Sequence, residues 1–146
     1  MAQRYFEDVE IGDEFEEEEV PSTDDVNRFL TMRPGQGGGG DGRFTDDERA
    51  KKLGLPGAIV PGAMSLSILS RIVTDWAGME GRLRSLDVSF RRSVLHNDRL
   101  KLLTLVTDTS EEPEGPRVKL DVYMENERGE RPVQGTAVVE LPRRPA

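Results

Sequence analysis

The chain has 146 residues with one histidine and no cysteine, and 28 acidic against 20 basic residues give a formal charge of −8. These counts exclude disulfides, thiolate or His-rich metal sites and a cysteine nucleophile, and they predict a single domain over residues 1–146 that needs no metal and no other cofactor. The net acidity argues against nucleic acid and anionic membranes as partners, and neither a membrane span nor a signal peptide is recognised, so we expect a cytoplasmic protein.

The first third of the chain is predicted to contain a strand followed by a helix. The run Glu16–Glu19 ends a loosely alternating segment and is expected to be a solvated strand edge or a loop. Ser22 or Thr23 then caps a helix, and Pro34 ends it.

A glycine-rich segment follows at residues 35–42, where six of eight residues are glycine. It does not match a phosphate-binding loop, because no Lys-Ser/Thr pair follows it and no strong strand precedes it. Two interpretations stay open: a flexible loop, or a mobile lid over a site. After it, Thr45 is predicted to cap a short helix from Asp46 to Leu53, whose first-turn aspartates we interpret as structural.

The most apolar segment runs from Pro61-Gly62 to Ala77 and predicts a long helix, with Gly78 as its C-terminal stop. Its apolar residues cover most of the helix circumference, so we expect it to be buried nearly all round. The resulting order predicts an α+β fold in which a long central helix is wrapped by a curved antiparallel sheet. Four predicted strands follow the helix, with turns at 110–115 and 125–132 and a loose tail at 142–146: Leu83–Val94, Arg99–Thr107, Val118–Met124 and Val133–Leu141.

Four segments stand in an order and spacing that are typical of one family: Tyr5–Asp13, Thr45–Gly54, Ile59–Met64 and Ser89–Leu100. Together they resemble the MaoC-like dehydratases, the (R)-specific enoyl-CoA hydratase branch of the hotdog fold. The resemblance implies a single hotdog fold that forms a homodimer or a heterodimer with another hotdog subunit. It also implies an acyl thioester of CoA or acyl-carrier protein as the ligand.

The family's chemistry is hydration of a trans-2-enoyl thioester, in which an Asp and a His hold the water and a backbone N–H binds the thioester oxygen. The resemblance puts Phe44 at the His position and Gly39 at the Asp position, so the usual dyad is missing. Asp41 is the nearest carboxylate that could act instead. Gly62 stands at the position of the N–H donor, with the plain start of a helix at Pro61-Gly62 as the equal alternative.

Five residues are candidates for substrate contact: Arg43, Phe44, Ile59, Pro61 and Met64. Arg43 would orient a thioester or a carboxylate, whereas Ile59 and Met64 would line an acyl channel or, alternatively, belong to the plain core. His96 is the only imidazole, and we interpret it as an ordinary surface histidine in a turn between two strands.

Three functions stay open at this point. The chain is a non-catalytic or degenerate hotdog subunit beside an active one, an active hydratase with a rearranged site that uses Asp41, or a binding protein for an acyl thioester or another hydrophobic ligand. A hotdog thioesterase is a weaker alternative, because the long helix carries no acid before Asp75. The arginines that are candidates for the phosphates of CoA, with surface solubility as the alternative, are Arg82, Arg84, Arg91 and Arg92.

Overall fold

The computed structural model describes residues 3–32 and 41–146, which form one five-stranded antiparallel sheet and three α-helices. The strand order is β1-β3-β4-β5-β2, so β1 and β2 are the two edges of the sheet. The predicted α+β architecture, a long helix packed on a curved antiparallel sheet, is confirmed. In chain order the elements are a 3-10 turn at Phe6–Asp8, β1 Glu14–Glu19, α1 Thr23–Thr31, α2 Asp47–Lys52, α3 Gly62–Ala77, β2 Arg82–Phe90, β3 Leu100–Glu112, β4 Gly115–Glu125 and β5 Val133–Glu140.

Helix α3 has one buried face and one exposed face. Leu66, Arg71 and Thr74 lie on the exposed face. The expectation of burial nearly all round is therefore wrong for the single chain, because one sheet covers only one side of a helix. The buried residues recur at helical spacing: Met64, Ser65, Ile68, Leu69, Ile72, Val73, Trp76 and Ala77.

The core lies between this buried helical face and the inner face of the sheet. Alternate residues of the strands point into it, as the period-two pattern predicts. Each fully buried leucine or valine contributes about 1.5–3 kcal/mol relative to an exposed one. The strand residues that fill this core are Leu100, Leu102, Val106, Val118, Leu120, Val122, Met124, Val133, Ala137 and Val139.

Strand β2 ends earlier than predicted, at Phe90 rather than Val94. The chain then leaves the sheet, and Leu95 forms an isolated antiparallel bridge with Ile59, in the segment that leads into α3. This bridge brings the end of β2 beside the start of the long helix, which is where the candidate site lies.

The two hairpins of the sheet differ in how closely they follow prediction. The turn between β3 and β4 has fewer residues than the predicted turn at 110–115, because the two strands continue until Glu112 pairs with Gly115. The turn between β4 and β5 lies where it was predicted, with Gly129 at a φ of +78° and its N–H donating to the carbonyl of Asn126 at 3.1 Å.

Side-chain caps start the two short helices. At α1, Ser22 accepts a hydrogen bond from the N–H of Asp25 at 3.0 Å, and the carboxylate of Asp25 accepts one from the N–H of Ser22 at 3.2 Å. At α2 the cap is Asp46 rather than Thr45, and its carboxylate accepts bonds from two N–H groups of the first turn. This correction shortens α2 to Asp47–Lys52.

Two segments were predicted to be loose, the glycine-rich segment and the C-terminal tail, and the structure describes only the tail in full. Pro34 and residues 35–40 lie outside the described ranges, so the loop and lid interpretations stay predictions. The tail at 142–146 has no helix or strand, and the N–H of Arg144 donates to the carboxylate of Glu7 at 2.7 Å. Within the described ranges, no helix is both long and apolar enough to cross a membrane.

Candidate functional site

A cavity of about 320 Å³ opens at the N-terminus of α3, against the segment that follows β2. Five apolar side chains, two serines, two arginines and Gly62 line it. None of the lining residues that the structure describes carries a carboxylate or an imidazole. The volume is at the small end of the range for ligand pockets, which begins at about 300 Å³.

The first turn of α3 offers unpaired backbone donors to this cavity. Pro61 is the N-cap, one position earlier than the first helical position, and the N–H of Met64 donates to its carbonyl at 3.0 Å. The N–H groups of Gly62 and Ala63 have no acceptor within the described residues, as is usual where a helix begins. The positive end of the helix dipole adds to their attraction for a carbonyl oxygen.

The ring of Phe90 forms one wall beside this turn. A β-carbon placed on Gly62 would lie 3.4 Å from Cε1 of Phe90, so the ring rests against the backbone at Gly62. Phe90 itself is exposed at the end of an edge strand. It therefore covers the helix start from the side of β2.

Ser65 is the one cavity residue of α3 that the sequence did not bring to attention. It is only 2% exposed, and its hydroxyl makes no hydrogen bond within the described part of the chain. Elsewhere in the helix, by contrast, Ser67 donates to the carbonyl of Ala63 at 2.9 Å. The signal for Ser65 in the sequence was a polar residue among the apolar residues of the buried face of α3.

Asp41 and Arg43 form a close ion pair with each other. The Nε of Arg43 lies 3.0 Å from each carboxylate oxygen of Asp41, its Nη2 lies 2.5 Å from Oδ2, and its backbone N–H donates to Oδ1 at 3.1 Å. The guanidinium and then the backbone N–H lower the pKa of Asp41 to about 2. A carboxylate with this pKa is a poor general base near neutral pH.

Phe44 and Met64 belong to the core rather than to the described cavity lining. Met64 is buried in the core cluster, and Phe44 is half-buried against it. The carbonyl of Arg43 accepts a hydrogen bond from the N–H of Ile59 at 2.9 Å. This bond holds the backbone at Arg43 beside Ile59, which lines the cavity. Of the predicted site residues, the structure brings Ile59 and Gly62 together in the cavity, and their roles stay predictions.

The two aspartates at the start of α2 both make structural hydrogen bonds. Asp46 caps the helix, and Oδ1 of Asp47 accepts the N–H of Ala58 at 2.7 Å. This second bond ties α2 to the segment that enters α3, and it thereby helps to position the helix start.

His96 is half-buried rather than on the open surface that was predicted. Its Nδ1 lies 3.1 Å from the hydroxyl of Thr23, and its Nε2 is buried with no hydrogen-bond partner in the described residues. The reason is long-range, since the neighbouring Asn97, at a φ of +66°, donates its N–H to the carbonyl of Pro21 and holds the turn against the start of α1. His96 does not line the cavity.

The arginines that are candidates for the phosphates of CoA differ in their ion-pair partners. Arg84 contacts the carboxylate of Glu140, and Arg92 pairs with Glu130 at 3.3 Å. Arg91 lines the cavity and has no ion-pair partner among the described residues. The described residues also contain no group of three acidic or imidazole side chains that could hold a metal ion.

Comparison with known proteins identifies a family model and similar folds. The model of the MaoC like domain matches residues 44–126, whereas no curated protein sequence gives a match. The R-hydratase PhaJ1 from Pseudomonas aeruginosa is 20% identical with a TM-score of 0.81, over 96% of this chain and 86% of that one. A MaoC-like dehydratase from Rhodospirillum rubrum is also 20% identical with a TM-score of 0.80, over 98% and 99% of the two chains.

A third similar structure is the ChsH1-ChsH2 complex from Mycobacterium tuberculosis, which is 17% identical with a TM-score of 0.76, over 90% of this chain and 97% of that one. At these identities the structural likeness shows the fold. The family model, however, matches more than half of the sequence. The chain therefore belongs to the MaoC-like dehydratase domain family and has its hotdog fold.

Proposed function

We propose that this chain is a non-catalytic hotdog subunit that binds an acyl thioester and works beside a second hotdog subunit. The observation that carries the proposal is the composition of the cavity at the start of α3. Its described lining contains hydrogen-bond donors and arginines but no carboxylate or imidazole. Binding a thioester oxygen needs only donors, whereas hydration also needs a base for the proton of the attacking water.

The rearranged hydratase that would use Asp41 is less well supported. That carboxylate is held by Arg43, its pKa is lowered to about 2, and it does not line the described cavity. Phe44 has no group that takes up a proton. The residues nearest the family's dyad positions therefore provide no base suited to neutral pH.

The thioester would lie across the first turn of α3. The N–H of Gly62 would bind its oxygen, and the ring of Phe90 would cover the acyl group. Arg91 is the cation at this cavity that has no internal carboxylate to neutralise it, so it is the one suited to a phosphate of the thiol carrier.

The second subunit would cover β2 and the exposed side of α3. β2 is an edge strand whose outer side has no partner in the described structure, and a groove of about 490 Å³ lies beside it, with Leu66, Leu83 and Leu86 in its lining. Open strand edges are favourable places for another chain to add. The likeness to a subunit of the ChsH1-ChsH2 complex supports a hotdog chain as the occupant.

The first test separates binding from turnover. The purified chain is mixed with crotonyl-CoA, a short trans-2-enoyl thioester, and its melting temperature and the enoyl absorbance are followed. We expect the melting temperature to rise, because the ligand binds only the folded state, and the absorbance to stay constant.

Two variants make this test decisive. Turnover that is lost in Asp41→Asn but kept in Glu48→Gln, an exposed carboxylate on the neighbouring helix, would establish the active hydratase instead. If neither stabilisation nor turnover appears with short or long acyl chains, thioester binding is rejected.

The second test concerns the partner. The tagged chain is purified from its native host, and we expect a second hotdog chain with an intact Asp and His to copurify in equal amount. Hydratase activity should then belong to the complex and disappear when that partner's dyad is removed. A stable homodimer without such a partner would contradict the heteromeric assembly.

A further inference from the structure

Ser65 is a buried residue whose hydroxyl has no hydrogen-bond partner in the described structure. Ser65 is 2% exposed and lines the cavity at the start of α3. The other helix hydroxyls at Ser67 and Thr74 each donate to a backbone carbonyl, at 2.9 and 3.1 Å. A hydroxyl on a buried residue that makes no hydrogen bond to the protein is uncommon, so its place in a ligand-sized cavity points to a ligand atom as its partner.

Ser65 also lies on the same face of α3 as the backbone N–H donor of Gly62. It follows Gly62 by three residues, and residues at this spacing are neighbours on one face of a helix. Both residues line the cavity. The O–H of one and the N–H of the other are therefore two donors on the same wall.

We propose that Ser65 is a ligand-binding residue whose hydroxyl donates to the thioester oxygen beside the N–H of Gly62. A carbonyl oxygen has two lone pairs and accepts two such bonds. This inference rests on the proposed binding of an acyl thioester and adds a side-chain donor, beside the N–H of Gly62, that favours a thioester over a ligand without a carbonyl.

The test compares two ligands that differ in that oxygen alone. Butyryl-CoA carries the thioester carbonyl, and S-butyl-CoA, the corresponding thioether, lacks it. Their dissociation constants are measured by calorimetry for the wild type, Ser65→Ala and the control Ser67→Ala, which removes an exposed hydroxyl from the same helix.

We expect Ser65→Ala to weaken butyryl-CoA binding about three- to tenfold, the effect of one lost hydrogen bond, and to leave S-butyl-CoA binding unchanged. Ser67→Ala should alter neither. Without ligand, Ser65→Ala should melt no lower than the wild type, because its hydroxyl has no internal partner to lose. Ser65→Cys, which keeps the size with a weaker donor, should give an intermediate loss of butyryl-CoA affinity.

Each other outcome decides a different question. A wild type that binds neither ligand overturns the proposed function itself. A wild type that binds both ligands, with equal losses or none in Ser65→Ala, overturns only the role of Ser65. A marked loss of stability in unliganded Ser65→Ala, absent in Ser67→Ala, would assign the hydroxyl a structural role and also overturn the inference.

Discussion

The guanidinium of Arg43 makes the carboxylate of Asp41 a weaker base than that of an ordinary aspartate, because it lowers the pKa of this group from 3.8 to about 2. Its hydrogen bonds are made to the ionised carboxylate and therefore lower the pKa of that group. Because Asp41 is exposed, the pair adds little to overall stability. Its consequence is chemical, since a carboxylate kept ionised by a neighbour does not readily accept a proton from water.

We predict that Arg43→Met raises the pKa of Asp41 from about 2 towards its ordinary value of 3.8. The Asp41 carboxyl resonance is followed by NMR during an acid titration, with Arg49→Met as the control cation. Since the folded-state pKa is depressed, any stability from the pair is present above the ordinary value and is lost as the pH falls towards about 2. An Asp41 pKa that does not move in Arg43→Met contradicts this account.

At the level of single residues, the position of a backbone donor could be predicted, while its role stays a prediction. The resemblance to the MaoC-like family put the N–H donor at Gly62, and in the structure the N–H of Gly62 has no acceptor among the described residues and lies at a cavity. Ser65 was missed, because its hydroxyl is known to be unpaired only once the elements around the helix are placed. The burial of His96 was missed for the same reason, since its neighbours Thr23 and Ala58 are distant in sequence.

Among the secondary-structure elements, β2 and β5 make an unusually close approach. At Gly135 of β5, an added β-carbon would lie 1.9 Å from the carbonyl oxygen of Asp87 and 2.7 Å from Cα of Val88, both in β2. Only a residue without a side chain fits there, because the obstructing atoms are backbone and have no other rotamer to adopt. The position of the edge strand thus depends on one glycine.

We predict that Gly135→Ala lowers the free energy of unfolding by about 1–3 kcal/mol or more, the usual cost of forcing atoms into filled space. Gly62→Ala is the control, because its β-carbon would meet Phe90 at the ordinary distance of 3.4 Å. Urea unfolding measures both variants. Equal free energies of unfolding for Gly135→Ala and Gly62→Ala would contradict this prediction, because β2 and β5 would then accommodate the added methyl group without loss of stability.

At the level of elements, the sequence pattern predicted the order and type of the three α-helices and of the four strands after α3, with boundaries as the main error. It left Glu16–Glu19 open between a strand edge and a loop, and it did not predict the 3-10 turn at Phe6–Asp8. Alternation in β4 was clear because Val118, Leu120 and Val122 all face the core. The end of β2 was not predictable, since it depends on Leu95 pairing with a residue far away in sequence. Such a pairing leaves no local pattern.

Viewed as a whole, the described molecule has one continuous core, and we propose that residues 1–146 unfold as a single domain. The same view explains the excess of apolar residues on α3. Leu66 is 37% exposed and faces the groove with Leu83 and Leu86. Sequence alone could not separate a fully buried helix from one with a partly apolar exposed side, which we propose is covered by another subunit.

We predict that Leu66→Arg converts the proposed assembly to the single subunit, because it places a charge among the leucines of the proposed interface. Light scattering after gel filtration measures the mass. The control is Leu53→Arg, since Leu53 is 49% exposed but lies just after α2, outside the groove. Unchanged assembly in Leu66→Arg would place the interface elsewhere.

The glutamates of β1 give the sheet two unlike ends. Arg71 lies 3.4 Å from Glu17 and from Glu19, and Lys101 lies 3.7 Å from Glu16, whereas Glu18 has no ion-pair partner among the described residues. A copy added along β1 would bring the glutamates of the two copies against one another, whereas β2 has no run of consecutive like charges. If a second subunit adds along β2, as we propose, the charges of β1 would oppose a further addition at the other edge, and the assembly would close as a pair instead of continuing into a filament.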